Sequence, residues 1–248
     1  MSSLKTGWCL VALFAGVAAG CLDKPTGPTL VGGGRRALFI GNSYLYTMDI
    51  PGLVQALADS AGGDSIAVAT VAFPDFALID HWREGTARRE IAKGGWEWVV
   101  LQQGPSSVGT NRDSLRIWSK LFADFMTAGT PALFSAWPSS SRRGDFANAI
   151  ESYRLAALAV DGLFLPIASA WLAAWRLDPN VQLYLDGLHP SAEGAYLSAA
   201  TVYGALLGQS PLDLPDGVRT RGGLTVIIEP ARAQLLRQAA AEALAQLR

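Results

Sequence analysis

Ala37-Leu38-Phe39-Ile40-Gly41-Asn42-Ser43 is the stretch that decides the fold. Four apolar residues run without alternation and stop at a glycine, an asparagine and a serine. An unalternated apolar run bounded by turn residues reads as a strand buried on both faces, as in a parallel sheet covered by helices on either side. In open sheets of that kind, ligands bind at the carboxyl ends of the strands. Ser43 therefore stands where a nucleophile would be useful. It stands equally well where a turn serine would cap the next helix.

Working outward, the same alternation continues to the C-terminus. Strand-like apolar runs are expected at 66–73, 98–102, 131–137 and 163–167. Helical patterns lie between them: from the Asp49 cap with Pro51 in its first turn to about Gly62, then at 78–93, 114–128, 146–160 and 191–207. The 114–128 helix is expected to bury one face made of Leu115, Trp118, Leu121, Phe122 and Phe125. A β-like run at 224–228 precedes a last helix from Pro230, and no helix is assigned between Ile167 and Asp186. Strands alternating with helices define an α/β chain with a parallel central sheet and a helical layer on each face.

Composition narrows the function classes. The chain has 248 residues, half of them hydrophobic, enough for one sizeable core. Twenty basic against twenty-one acidic residues leave no electrostatic footprint for nucleic acid. At the start, Lys5 precedes an apolar segment, 8–19, that is too short to span a bilayer as a helix. A charged start, a short apolar core and small residues at its end make a secretory signal, expected at 1–20. Its final Ala18-Ala19-Gly20-Cys21 resembles the lipobox of bacterial lipoproteins, in which the cysteine is lipidated. That resemblance implies lipidation of Cys21, attachment to the cell envelope, and membrane contact through the N-terminus only. Without lipidation the chain would be secreted. The stretch 21–35, with Pro25, Pro28 and Gly32-Gly33-Gly34, then reads as a tether, and 36–248 as the domain. Cys9 lies within the expected signal, so the mature chain would carry no disulfide.

Few residues remain that could carry chemistry. The chain has two histidines, His81 and His189, which leaves too few ligands for a zinc site of several His and Cys. Neither the phosphate-binding loop Gly-x-x-x-x-Gly-Lys-Ser/Thr nor the dinucleotide turn Gly-x-Gly-x-x-Gly occurs, and no metal or other cofactor is expected. The Gly-x-Ser-x-Gly nucleophile elbow is missing as well. What is left is Ser43 near one end of the chain and Asp186-Gly187-Leu188-His189-Pro190 near the other. A reactive serine needs a base to take its proton and a carboxylate to hold that base in the right tautomer. Asp186 can fold back on His189 at this spacing, and Pro190 keeps His189 extended. The alternative is that both are ordinary turn residues ahead of a helix.

Taken together and in this order, the two blocks resemble the SGNH/GDSL hydrolases, serine esterases on a flavodoxin-like three-layer α/β/α sheet. The first block is Ile40-Gly41-Asn42-Ser43, the last is Asp186 to Pro190, and the resemblance spans about residues 36 to 210. The start Gly41-Asn42-Ser43-Tyr44 and the stretch Leu78-Ile79-Asp80-His81-Trp82 resemble those of bacterial envelope members. The resemblance implies Ser43 as nucleophile, His189 as base and Asp186 as its orienting carboxylate. It also implies an oxyanion hole from the Ser43 N–H, a glycine N–H after the second strand, and an asparagine side chain after the third. Here the chain departs from the family. After the second strand it reads Phe73-Pro74-Asp75-Phe76, so Asp75 or Phe76 would supply the backbone donor. After the third it reads Gln102-Gln103-Gly104-Pro105-Ser106, and Gln103 is the better carboxamide substitute, although direct alignment places Ser106 there. Three further residues are candidates for touching substrate: Asn42, His81 and Trp137. His81 could instead anchor its helix, and Trp137 could be core.

The activity so implied is hydrolysis of short-chain acyl esters or of O-acetyl groups on carbohydrate, the small-molecule or glycan ester being the expected partner. Acyl transfer to a sugar hydroxyl, or glycan binding without turnover on the same fold, are the alternatives.

Overall fold

A computed structural model describes residues 34–247; the expected signal, Cys21 and nearly all of the expected tether lie outside the described residues. Five strands form one parallel sheet: β1 (Arg35–Gly41), β2 (Ile66–Ala72), β3 (Trp98–Leu101), β4 (Thr130–Phe134) and β5 (Leu163–Leu165). Their order across the sheet is β2-β1-β3-β4-β5. This is the flavodoxin-like order, whose topological switch point falls between β1 and β3. The register levels the ends of the three strands that meet there, with Gly41 opposite Ala72 and Ile40 opposite Leu101. The segments that follow β1, β2 and β3 are therefore brought to one edge of the sheet.

The reading of β1 as a strand covered on both faces holds: Ala37, Leu38, Phe39 and Ile40 are all completely buried. Each of the three larger side chains contributes about 1.5–3 kcal/mol by leaving water. After β1 come a single turn, α1 (Ser43–Tyr46), and then α2 (Ile50–Ala61). Asp49 caps α2 by accepting the Gly52 N–H at 3.1 Å, and Gly62 ends it in the left-handed conformation. The next helical stretch is split into α3 (Leu78–Glu84) and α4 (Thr86–Ala92), because Gly85 (φ +91°) breaks it. Then follow α5 (Gly109–Phe125), α6 (Phe146–Ala159), α7 (Ile167–Leu177) and α8 (Ala192–Leu207). Two short strands, β6 (Gly217–Arg219) and β7 (Thr225–Ile227), form an antiparallel hairpin before α9 (Pro230–Ala245). Helices α2 and α8 pack together on one face of the sheet, with α7 and α9 against α8. The α3–α4 pair, α5 and α6 cover the other.

Two expectations are corrected. The span between Ile167 and Asp186 does contain a helix, α7, which follows Pro166 and buries Ile167, Ala168, Ala170, Trp171, Ala173 and Ala174. The short apolar strand β5 runs straight into it, so no change in hydrophobicity marks the boundary. On α5, Leu115 and Phe122 face the core, but Leu121 and Phe125 are exposed. The helix starts five residues earlier than its apolar pattern suggests. The β-like run expected at 224–228 is present as β7, and β6, which was not expected, pairs with it to make a hairpin. Among the described residues no helix is long and apolar enough to cross a membrane.

Candidate active site

Ser43 opens α1 immediately beyond the carboxyl end of β1, on a turn that several buried groups hold rigid. Gly41 is needed because any Cβ there would overlap Gln102 Oε1 and crowd Leu45. Gln102 is completely buried and grips the next residue twice. Its Oε1 accepts the Asn42 N–H at 2.9 Å, and its Nε2 donates to Asn42 Oδ1 at 3.1 Å. Asn42 Oδ1 also accepts the Tyr44 N–H (3.2 Å), and Asn42 Nδ2 donates to the Phe76 carbonyl at 2.9 Å. From below, His81 Nε2 donates to the Gly41 carbonyl at 2.7 Å, which also accepts the Phe73 N–H at 3.2 Å. Six groups thus fix two residues, and Ser43 is carried on them.

The other end of the chain arrives beside it. Residues 183–191 form a closed loop: Leu185 N–H donates to the His189 carbonyl at 2.8 Å, and Ser191 N–H to the Leu183 carbonyl at 2.9 Å. Gly187 lies at the tip with φ +87°, and a Cβ there would stand 2.8 Å from Ser140 Oγ, so the turn suits glycine alone. Within the loop Asp186 Oδ1 accepts the N–H groups of Leu188 (2.9 Å) and His189 (2.7 Å), while Oδ2 accepts His189 Nδ1–H at 2.6 Å. On the far side of the ring, His189 Nε2 lies 2.9 Å from Ser43 Oγ. The hydrogen bond from His189, reinforced by the two backbone N–H groups, lowers the Asp186 carboxyl to about 2. An ionised Asp186 accepts from Nδ1, which leaves Nε2 as the acceptor for the serine hydroxyl. The three side chains form one hydrogen-bonded line, with the Asp186 side chain half exposed and His189 mostly covered.

Other candidate residues are placed differently from expectation. Gln103 is not free to meet a developing negative charge. Its Oε1 accepts the Leu78 N–H at 3.3 Å, and its Nε2 donates to Ser106 Oγ (2.8 Å) and to the Asn111 carbonyl (3.3 Å). Both amide hydrogens are used in bracing the loop after β3, so Gln103 is withdrawn as an oxyanion donor. Ser106, buried in the left-handed conformation, is committed to the same brace. Asn42 is also withdrawn as a substrate contact, because its amide is spent on the turn. His81 has no exposed surface; it lies among Phe73, Phe76 and the Gly41 carbonyl, a support beneath the turn rather than a group that meets substrate. Burial lowers its pKa and keeps it neutral, and its Nδ1 has no partner among the described residues. Trp137 is likewise fully buried, which removes it from the cleft wall.

Asp75 lies where the resemblance implies a backbone donor. Pro74 and Asp75 occupy the middle of a turn closed by the Phe76 N–H on the Phe73 carbonyl at 3.4 Å, and Asp75 takes φ +59°. Proline followed by a left-handed residue is the arrangement of a type II turn, in which the third position is usually glycine. Aspartate tolerates this conformation better than most residues. The N–H groups of Ser43 and Asp75 make no hydrogen bond among the described residues, whereas that of Phe76 is taken by the turn. Sequence reading missed Gln102 and Tyr153. The Tyr153 hydroxyl, fully buried, bonds the Gln103 carbonyl at 2.8 Å and accepts the Gln103 N–H at 3.1 Å. A polar pair closing an apolar strand was the available signal for Gln102; nothing local marks Tyr153. Among the described residues, no group of three or more His, Cys, Asp or Glu is placed to hold a metal ion.

No protein-family model matches this sequence, and no curated protein does. Solved structures do. A DUF4886 family protein from Bacteroides uniformis is similar at TM-score 0.72 and 15% identity, over 85% of this chain and 95% of that one. A protein from Slackia heliotrinireducens described as a candidate SGNH hydrolase is similar at TM-score 0.60 and 21% identity, over 70% of this chain and all of the other. A lipase/acylhydrolase from Enterococcus faecalis is similar at TM-score 0.57 and 16% identity, over 70% and 96%. These likenesses establish a common α/β fold.

Proposed function

We propose that this chain, which carries the fold of the SGNH hydrolases, is a serine esterase with Ser43 as nucleophile, His189 as general base and Asp186 as the carboxylate that orients it. The observation that carries this reading is the continuous line Ser43 Oγ–His189 Nε2 and His189 Nδ1–Asp186 Oδ2, at 2.9 and 2.6 Å, drawn from residues 146 positions apart. A helix-capping serine and a turn histidine would have no reason to meet.

In the first step Ser43 Oγ forms a bond to the ester carbonyl carbon, and its proton passes to His189 Nε2. The carbonyl oxygen takes the negative charge. The free N–H groups of Ser43 and Asp75 are the donors available to it, and loss of one such donor costs on the order of 3 kcal/mol. The tetrahedral intermediate collapses, the C–O bond to the alcohol breaks, and His189 returns its proton to the leaving oxygen. Water then repeats the sequence on the acyl-enzyme and frees the acid. Asp186 stays ionised throughout and stabilises the imidazolium. Short acyl groups, including O-acetyl groups on envelope carbohydrate, are the substrate class proposed. Support comes from the expected envelope location and from the half-exposed setting of Asp186 beside the proposed site.

A fluorophosphonate probe tests the reading. It should label the intact protein at Ser43, and Ser43→Ala should lose both the label and at least about a thousandfold in short-chain ester turnover. An intact protein that takes no label and hydrolyses no short-chain ester would overturn the esterase reading in favour of binding without turnover.

A further inference from the structure

Trp137 follows β4 and is not part of the proposed hydrogen-bonded line, yet it touches a chain neighbour of Ser43 and a chain neighbour of His189. Its indole N–H donates to the Leu188 carbonyl at 2.9 Å, the peptide group that joins Leu188 to His189. The same ring packs against Tyr44, the residue after Ser43, with centroids 5.0 Å apart. Behind it, Trp171 stacks almost parallel, at 4.0 Å and 12°, and Trp171 is itself pinned to α8 by its N–H on Ser198 Oγ at 3.2 Å. Trp137 is thus a rigid plate with one edge on the loop of the base and one face on the helix of the nucleophile.

The base of the loop it touches is packed, with Leu183 buried and Tyr184 against Trp171 and Trp175, but its tip is open. Asp186, Leu185 and Leu188 are exposed, with Leu185 at 62%. Besides Arg143 over the Tyr184 ring, three hydrogen bonds tie the loop to the segment after β4. Ser140 N–H donates to the Gly187 carbonyl at 2.8 Å, Tyr184 Oη–H to the Pro138 carbonyl at 2.6 Å, and the Trp137 indole to Leu188. Of the three, Trp137 is the one whose side chain also packs on the residue beside Ser43. We infer that Trp137 is a positioning residue: a strut that sets the spacing between Ser43 Oγ and His189 Nε2. The inference rests on the esterase reading, in which that spacing governs proton transfer. A displacement of about 1 Å in such a site is enough to cost on the order of a hundredfold in rate.

The test removes the hydrogen bond and keeps the plate. Replacing Trp137 with benzothienylalanine puts sulfur in place of the indole nitrogen at nearly constant shape; Trp137→Phe serves as a second variant. The isostere should keep the far-ultraviolet circular dichroism and cooperative unfolding of the parent. For a short-chain ester its kcat should fall about tenfold with KM within about twofold, and fluorophosphonate labelling of Ser43 should slow in parallel. A kcat within twofold of the parent overturns the strut. Should the parent protein itself neither label nor hydrolyse, the esterase reading has failed, and the strut is judged by the imidazole NMR signals. The chain has two histidines. The isostere should then shift or broaden the ring signals of His189 and leave those of buried His81 in place. Unchanged His189 signals overturn the strut.

Discussion

Asp186 combines two roles that pH can separate. Its carboxylate fixes the imidazole tautomer, so Asp186→Asn should leave the geometry nearly intact and lower kcat by about 10³–10⁴-fold, because a neutral amide no longer selects the Nδ1–H form. The same carboxyl is held at about 2 by the His189 side chain and the two backbone N–H groups. Unfolded, it would titrate near ~3.9. A depressed folded value means that the unfolded state binds the proton more readily, so the stabilisation is complete above about pH 4 and disappears as pH falls through 2. Denaturant unfolding of the parent and Asp186→Asn at a series of pH values should therefore show a constant gap above about pH 4 that closes toward pH 2. A gap independent of pH would rule out this ionisation. The Asp186–His189 pair was legible in the sequence because three-residue spacing is short enough to imply contact. Withdrawal of Asn42 and Gln103 from substrate or oxyanion was not legible, whereas the supporting role of His81 and the core role of Trp137 were among the alternatives the sequence offered. A polar or aromatic residue beside a strand end is equally able to face the cleft or the core, and only the packed neighbours decide which.

At the scale of elements, the turn after β2 has the most specific consequence. Asp75 occupies a conformation suited to glycine, and the proposed mechanism needs its N–H rather than its side chain. Asp75→Gly should keep ester turnover within about twofold and leave stability unchanged or raised by up to about 1 kcal/mol. Asp75→Val should lose about 1–2 kcal/mol, since β-branched residues resist φ near +59°, and should lower kcat as the turn distorts. Urea unfolding together with kcat for both variants checks this; a valine variant as stable and active as the parent would refute it. The strands and most helices were readable because their apolar runs and caps are local: Asp49 before Pro51, Gly62 at a helix end, Ser191 before α8. α7 escaped because β5 and α7 are both apolar and abut at Pro166. β6 escaped because three residues carry no periodicity.

In the whole molecule, all five strands of the central sheet point the same way, so the two ends of β1 lie on opposite edges of that sheet. Arg35 begins the strand at one edge, and Ser43 follows it at the other. Seven residues at about 3.3 Å each separate them by roughly 20 Å. The chain preceding Gly34 thus joins the domain at the edge away from the proposed site. If Cys21 is lipidated, as its resemblance implies, it would anchor the domain to a membrane through that tether. In cells that process lipoproteins, the protein should then fractionate with membranes, and Cys21→Ser should move it to the soluble fraction without loss of ester turnover. Equal partition of the two forms would remove the anchor from the proposal. By itself the sequence determined the layered α/β class and most of its elements, and it singled out Ser43, His189 and Asp186 as candidates, because hydrophobic periodicity, caps and short-range spacing are local properties of a chain. The tertiary structure alone decided that Ser43 and His189 meet, that Gln102 rather than Gln103 grips the turn carrying Ser43, that Asp75 leaves its N–H free, and that the Trp137 indole bonds the Leu188 carbonyl. The three contacts among these join segments far apart in the chain, whose partners are chosen by sheet order and register and leave no mark on the residues around them.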